Sequence, residues 1–232
     1  MKIVHHLVGA VVLAGVAFAA APARAEQAPL FGFSVDAYAA PALDRSVTDQ
    51  NTGEPYQRSR GMLGFATLLN WDELALGGVV DGMPAISGDG RLSAGALFGW
   101  QPQVSTHRYQ LLGEIGQERF SDVGGNFFNT PSQHDTWLGY VGARAGVTET
   151  FGRDGPFELG AWLFVRKDVG DAIVTNTSSS FPIFGGTAEE TTTSYHLGGY
   201  SAGVAFRIGV RFDQRRSSAE PTAAIEHENA GT

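Results

Sequence analysis

The chain contains no cysteine. Disulfide staples, zinc–thiolate centres, thiol catalysis and lipid anchoring through cysteine are thereby excluded. Charge is scarce as well: Asp, Glu, Lys and Arg make up 17% of the 232 residues, below the quarter or so of a soluble domain. The balance is acidic, at -8, and no basic run is present, which argues against nucleic acid as a partner. Beyond residue 25 no apolar stretch reaches the ~18 residues of a spanning helix. Glycine is abundant, at 31 residues, but it follows no three-residue period, so a collagen-like chain is excluded.

What is present begins with a targeting segment. Lys2 supplies a positive start, Leu7 to Ala21 an apolar core, and Ala23-Arg24-Ala25 a small-x-small cleavage site. Residues 1–25 therefore read as a cleaved signal peptide, with the mature chain starting at Glu26. After it the sequence alternates with period two, the signature of strands with unlike faces.

Eight such runs follow, at about 30–39, 60–70, 73–82, 91–100, 107–119, 135–149, 157–172 and 194–212, the last alternating most clearly from Tyr200. Turn signals separate them: Asn70-Trp71-Asp72-Glu73, Ser87-Gly88-Asp89-Gly90 and Gly152-Arg153-Asp154-Gly155-Pro156. Polar connections are read from Pro41 to Ser59, from Ser121 to His134 and over the Ser/Thr-rich 175–193. Connections after the odd strands are long or intermediate, and those after the even strands are short. The pattern predicts an all-β chain, an eight-stranded antiparallel transmembrane up-and-down β-barrel spanning 26–212, with a disordered periplasmic tail at 213–232.

The choice between a soluble and a membrane barrel rests on which face is oily. A small soluble barrel fills its interior with apolar side chains. Here the other face carries Asp36, Glu114, Glu118, Arg144, Glu158, Arg166, Asp168, Arg207 and Arg211. These predict a lumen charge network in which acids and bases neutralise one another, with Arg144, Arg166 and Arg207 set against Glu114, Glu158 and Asp36. The oily face lacks ionisable residues through its central stretch, as lipid demands. Trp162 and Phe164 fall on the polar face, which points to a bulge or a crowded lumen there.

Aromatics mark the borders of the band. Phe31, Trp71, Trp100, Tyr109, Phe157 and Phe212, with Phe151, collect at the short-turn end as an interfacial girdle. Tyr38, Trp137 and Tyr195 are placed near the opposite rim. With long loops outside, both termini are periplasmic.

The signal ending Ala23-Arg24-Ala25, the eight alternating strands, the alternating loop lengths and the closing run Phe206-Arg207-Ile208-Gly209-Val210-Arg211-Phe212 together resemble the small OmpA/OmpX-type outer-membrane β-barrels of Gram-negative bacteria. The resemblance covers about 26–212 and is one of pattern. It implies localisation in the outer membrane, outer-membrane lipid as surroundings, and a terminal aromatic, Phe212, read by the β-barrel assembly machinery. The tail beyond Phe212 departs from members that end at the aromatic. A peptidoglycan-binding domain, present in OmpA itself, is lacking.

Catalysis finds little support. Lipid A-modifying barrels pair a His and a Ser two residues apart, with an acidic partner. Here Ser194 precedes His196 in the wrong order, and Ser201 lies five residues away on the opposite face. His107 and His134 have no ligand-like spacing, so neither metal nor cofactor is indicated. Phe127, Phe128, Phe181 and Phe184 lie in long loops, where a rigid scaffold places recognition. The reading is a non-enzymatic outer-membrane barrel with a structural or surface-interaction role through its loops. A narrow pore and a lipid A-modifying enzyme are the alternatives.

Overall fold

The structure, a computed structural model, describes residues 31–56, 59–83, 90–121, 123, 135–151, 156–180 and 189–214. Residues 1–30, which include the expected signal peptide, and 215–232 lie outside the described residues, as do Phe127, Phe128, His134, Phe181 and Phe184.

Among the described residues twelve strands follow in chain order. They are β1 (Phe31–Asp44), β2 (Val47–Asp49), β3 (Ser59–Trp71), β4 (Leu74–Met83), β5 (Gly90–Trp100), β6 (Gln103–Val104), β7 (His107–Ser121), β8 (Thr136–Thr150), β9 (Phe157–Val169), β10 (Ala172–Ser180), β11 (Glu189–Leu197) and β12 (Tyr200–Gln214). Eight of them, β1, β3, β4, β5, β7, β8, β9 and β12, close into one antiparallel up-and-down barrel. Each pairs with its sequence neighbours, and β1 against β12 forms the seam, from Phe31 opposite Gln214 to Asp44 opposite Ser201. No helix among the described residues is long and apolar enough to cross a membrane, which says nothing about strands.

The alternation of small or polar with apolar side chains produces the wall directly. On β1 buried and non-buried positions alternate without interruption from Phe31 to Asp44. At the end where β1 starts and β12 finishes, Asp72, at φ 50, makes the two-residue link between β3 and β4.

Five details differ from the sequence reading. The closing run is not one strand from Ser194: β11 ends at Leu197, Gly198 at φ 111 turns the chain, and β12 starts at Tyr200. β1 does not stop before Pro41 but runs to Asp44. Proline has no N–H to give to a ladder, and the β1–β12 pairing skips Ala40 and Pro41 and then resumes at Ala42 opposite Gly203. At the other end of the seam β12 continues two residues past Phe212, to Gln214. β9 ends at Val169 rather than 172, because Gly170 adopts φ 90 and turns the chain. Finally, the Ser/Thr-rich stretch is not a plain connection. Thr177 pairs with Thr192 and Val174 with Tyr195, so β10 and β11 form a hairpin, and β2 adds to it through Val47 to Asp49. Threonine is β-branched and favours the pleated backbone.

This three-stranded sheet stands at the end opposite Phe31 and Gln214. It encloses a second hydrophobic cluster of Val47, Phe120, Val123, Leu138, Val174, Tyr195 and Leu197. The sheet thereby roofs the mouth of the barrel.

Candidate functional site: the charged lumen and the apolar wall

The structure places all nine residues of the expected lumen network inside the barrel, each at 6% exposure or less. It adds Asp44, Asp81, Arg91 and Arg108, so that six arginines face seven carboxylates among the described buried residues. They form three tiers along the axis.

The tier beneath the roof centres on Arg91. Its Nη1 donates to Asp44 Oδ1 at 3.0 Å and to Ser46 Oγ at 2.9 Å, and its guanidinium pairs with Glu118. Asp168 Oδ1 lies 3.8 Å from Arg91 Nη2, while its Oδ2 accepts the Gly199 N–H at 2.9 Å. Loop backbone and lumen charge are thus joined.

The middle tier holds two arginines between two carboxylates. Arg166 pairs with Asp81 through both terminal nitrogens, with Nη1 to Oδ1 at 2.8 Å, and reaches Glu114 Oε1 at 2.6 Å. Arg144 Nε donates to Glu114 Oε2 at 2.7 Å, and its Nη2 lies 3.6 Å from Asp81. Hydroxyls complete the set: Tyr140 donates to Glu114 at 2.8 Å, and Tyr38 and Ser93 donate to Asp81. Aromatic faces cover the cations, with Arg166 4.9 Å from the Tyr140 ring centre and Arg144 5.2 Å from that of Tyr38.

In the lowest tier Arg207 bridges Asp36 and Glu158, the latter at 2.7 Å. Arg108 reaches Glu158 Oε1 at 2.9 Å, and Arg211 pairs with Asp213. The sequence reading set these arginines and acids against one another without assigning pairs; in the structure Arg144 meets Glu114, Arg207 meets Glu158 and Asp36, and Arg166 meets Glu114 and Asp81, the latter absent from that set.

Trp162 and Phe164 lie inside without a bulge, since β9 pairs residue for residue with β8 and with β12. The crowding is used: Trp162 packs edge-on against Tyr38 at 5.0 Å and lies under Arg144 and Arg207. Tyr38 is therefore not a rim residue. It shares parity with Asp36, and that was the signal for its place in the lumen. Tyr195 is not at the open rim either. It is buried under the hairpin, 4.9 Å from the Tyr56 ring. Trp137 is exposed at the loop-side border.

The outer wall has the opposite character. Phe65 is 65% exposed, Phe206 63%, Leu76 61% and Ile208 58%. Leaving such side chains in water costs roughly 1.5–3 kcal/mol apiece, so a wall made of them is solvated by hydrocarbon. The girdle closes its lower edge: Phe31 stands opposite Trp71, Trp71 opposite Leu74 and Leu74 opposite Trp100. Phe157 and Phe212 are exposed there, and Trp100 and Tyr109 are partly covered, Trp100 Nε1 donating to Glu73 Oε2 at 2.7 Å. Beside them small side chains leave a groove of about 330 Å³ in the wall, lined by Tyr109, Leu111, Ala145, Ala161, Leu163 and Val204.

The fold is a transmembrane eight-stranded β-barrel, with a closed sheet and an apolar outer wall. Among solved structures the chain is similar to the Neisserial surface protein A, at 15% identity and a TM-score of 0.47, over 78% of this chain and 97% of that one. It is also similar to the N-terminal β-barrel domain of Pseudomonas aeruginosa OprF, at 11% identity and 0.46, over 78% and 97%. A third is Ail, the attachment invasion locus protein of Yersinia pestis, solved with the heparin analogue sucrose octasulfate, at 12% identity and 0.39, over 78% and 99%. No protein-family model matches the chain, and no curated protein matches it.

His196 Nε2 lies 3.3 Å from Asp171 Oδ2 on the hairpin, Ser194 Oγ meets Thr175, and Ser201 is fully buried on β12. His107 contacts only its neighbour Thr106 among the hydrogen bonds of the described residues. No group of three His, Asp or Glu with metal-holding geometry occurs among the described residues.

Proposed function

We propose that the chain is an integral outer-membrane protein without enzymatic activity, acting as a structural or surface-interaction barrel through its loop end. The observation that carries this is the filling of the lumen. Three tiers of paired charge, packed with Trp162, Phe164 and Met62 and roofed by β2, β10 and β11, leave the interior to the protein's own side chains. What the barrel offers outward is an apolar wall and a built extension above it.

In this reading outer-membrane lipid surrounds the wall, and the β-barrel assembly machinery takes the closing strand through Phe212. Both termini lie in the periplasm in this reading, because the start of β1 and the end of β12 share an end with the tight turn at Asp72 and with the aromatic girdle, while the extension stands at the far end. A surface ligand would meet the extension or the loops that carry Phe127, Phe128, Phe181 and Phe184.

The test is membrane fractionation combined with mobility on a detergent gel, with and without heating. The protein is expected in the outer-membrane fraction, with a folded form that migrates differently until boiled. Recovery as a soluble periplasmic protein without a heat-dependent shift would refute the assignment.

A further inference from the structure

Lysine occurs only twice in the chain, at Lys2 and Lys167, so Lys167 is the only lysine after the signal segment. Every buried lumen cation is an arginine. Lys167 instead faces outward and is exposed on β9. Its cross-strand partners are Val141 on β8 and Tyr200 on β12. On the far side of Tyr200 comes Arg45, whose N–H donates to the Tyr200 carbonyl at 2.9 Å and whose side chain is exposed. Lys167, Tyr200 and Arg45 thus stand side by side on the outer wall, a cation on each side of a phenol. No ion pair joins either cation to a described residue; the nearby acid Asp171 is engaged by His196.

The height of this group decides what it can meet. Lys167 and Phe157 are ten residues apart on β9. At ~3.3 Å per residue and a tilt near 40°, that is roughly 25 Å along the barrel axis, the thickness of the lipid-facing band. Phe157 belongs to the aromatic girdle at the lower border, so Lys167 stands at the upper one. Among the described side chains the outward cations are Arg45, Arg119 and Lys167, and all three are at this loop-side border. Arg119 is already paired with Asp135. The girdle border carries aromatics and the exposed Glu149, and no outward cation among the described side chains. Directly below the cation pair come Val165 and Ala202, then Leu163 and Val204 at the mouth of the apolar groove.

We infer that Arg45, Tyr200 and Lys167 form a docking site for a phosphate-bearing lipid of the outer leaflet. The two cations hold the phosphate, the phenol lies at the interface between them, and the acyl chains descend over Val165, Ala202, Leu163 and Val204. An anion suits two cations that face outward without an ion-pair partner among the described residues. Continuity with the hydrocarbon-facing wall makes that anion a lipid headgroup rather than a solute. The flexible lysine stem lets the ammonium reach up to the headgroup from an apolar surface. This inference rests on the membrane placement proposed above, and on the loop end facing outward.

The experiment reads the amine itself. The full barrel is placed in nanodiscs of phosphatidylcholine, with or without diphosphoryl lipid A, and treated with a limiting amine-acylating reagent. Peptide mass spectrometry compares acylation of Lys167 with that of the chain's amino terminus. Lipid A is expected to slow Lys167 several-fold more than the terminus, and Arg45→Gln to weaken that protection about fivefold. Equal slowing at both amines, or equal protection by inorganic phosphate in plain phosphatidylcholine discs, would overturn the lipid site. Failure of the protein to enter discs would instead overturn the membrane reading on which it rests.

Discussion

Arg166 touches more of the lumen than any neighbour of its tier. It pairs with Asp81 and Glu114, donates to Ser93 and lies over the Tyr140 and Phe164 rings. Removing one partner from a buried ion cluster leaves charge without compensation, at a cost of about 3–5 kcal/mol. Arg166→Met should therefore lower the urea midpoint of barrel unfolding, monitored by tryptophan fluorescence in detergent. Adding Asp81→Asn should recover part of the loss, since it removes the stranded carboxylate. A double variant no more stable than the single one would show that packing volume, not charge, sets the cost. At this scale the sequence was legible wherever parity spoke. The nine expected lumen residues share the inward face with Asp81 and Arg91 because period two leaves them no other. Which arginine meets which acid was not legible. Partners such as Arg166 and Asp81, 85 positions apart, sit on strands that are not neighbours, and their meeting depends on how the closed sheet is sheared.

Among the elements, the hairpin β10–β11 departs most from the sequence reading. Its Ser and Thr residues give no apolar alternation, so no buried face announces it. Its order comes from distant partners: β2 at its edge and Phe120 and Leu138 below it. It joins the barrel through Gly170 at φ 90 and Gly198 at φ 111. A side chain at 198 would meet the Gly170 carbonyl at 2.7 Å in a backbone conformation that L-residues avoid. Gly198→Ala should strain this joint by about 1–3 kcal/mol. Limited proteolysis is expected to clip the 172–197 hairpin faster while the heat-dependent gel shift of the barrel stays as it was. Unchanged clipping would mean that the joint tolerates the side chain. The eight wall strands, by contrast, were readable one by one, because each needs its own oily face.

For the molecule as a whole, the filled interior sets the expectation for ion flow. The tiers occupy the lumen from Asp44 near the roof to Arg211 near the girdle. A path for ions would have to part at least one arginine from its carboxylate in every tier. In planar bilayers the protein should show no steady conductance at neutral pH. Sustained conductance that vanished in Arg144→Ala or Glu114→Ala would move the assignment to a pore. The exchange of inside for outside was legible in the sequence as a statement about faces, and closure of the sheet turned it into one about solvent. The roof was not legible, since it is built from contacts between segments that read as loops.

The seam between β1 and β12 has a consequence in time. Asp36 and Arg207 are 171 positions apart, and the first and last strands of the wall complete each other. No seven-strand precursor can satisfy the backbone of β1, so closure waits for the last strand to arrive. Contacts of such long sequence separation make folding slow. Until that strand docks, the chain has two open strand edges and an apolar face with nothing to cover it. Pairing of those edges with another chain stays open until the final strand of the wall docks.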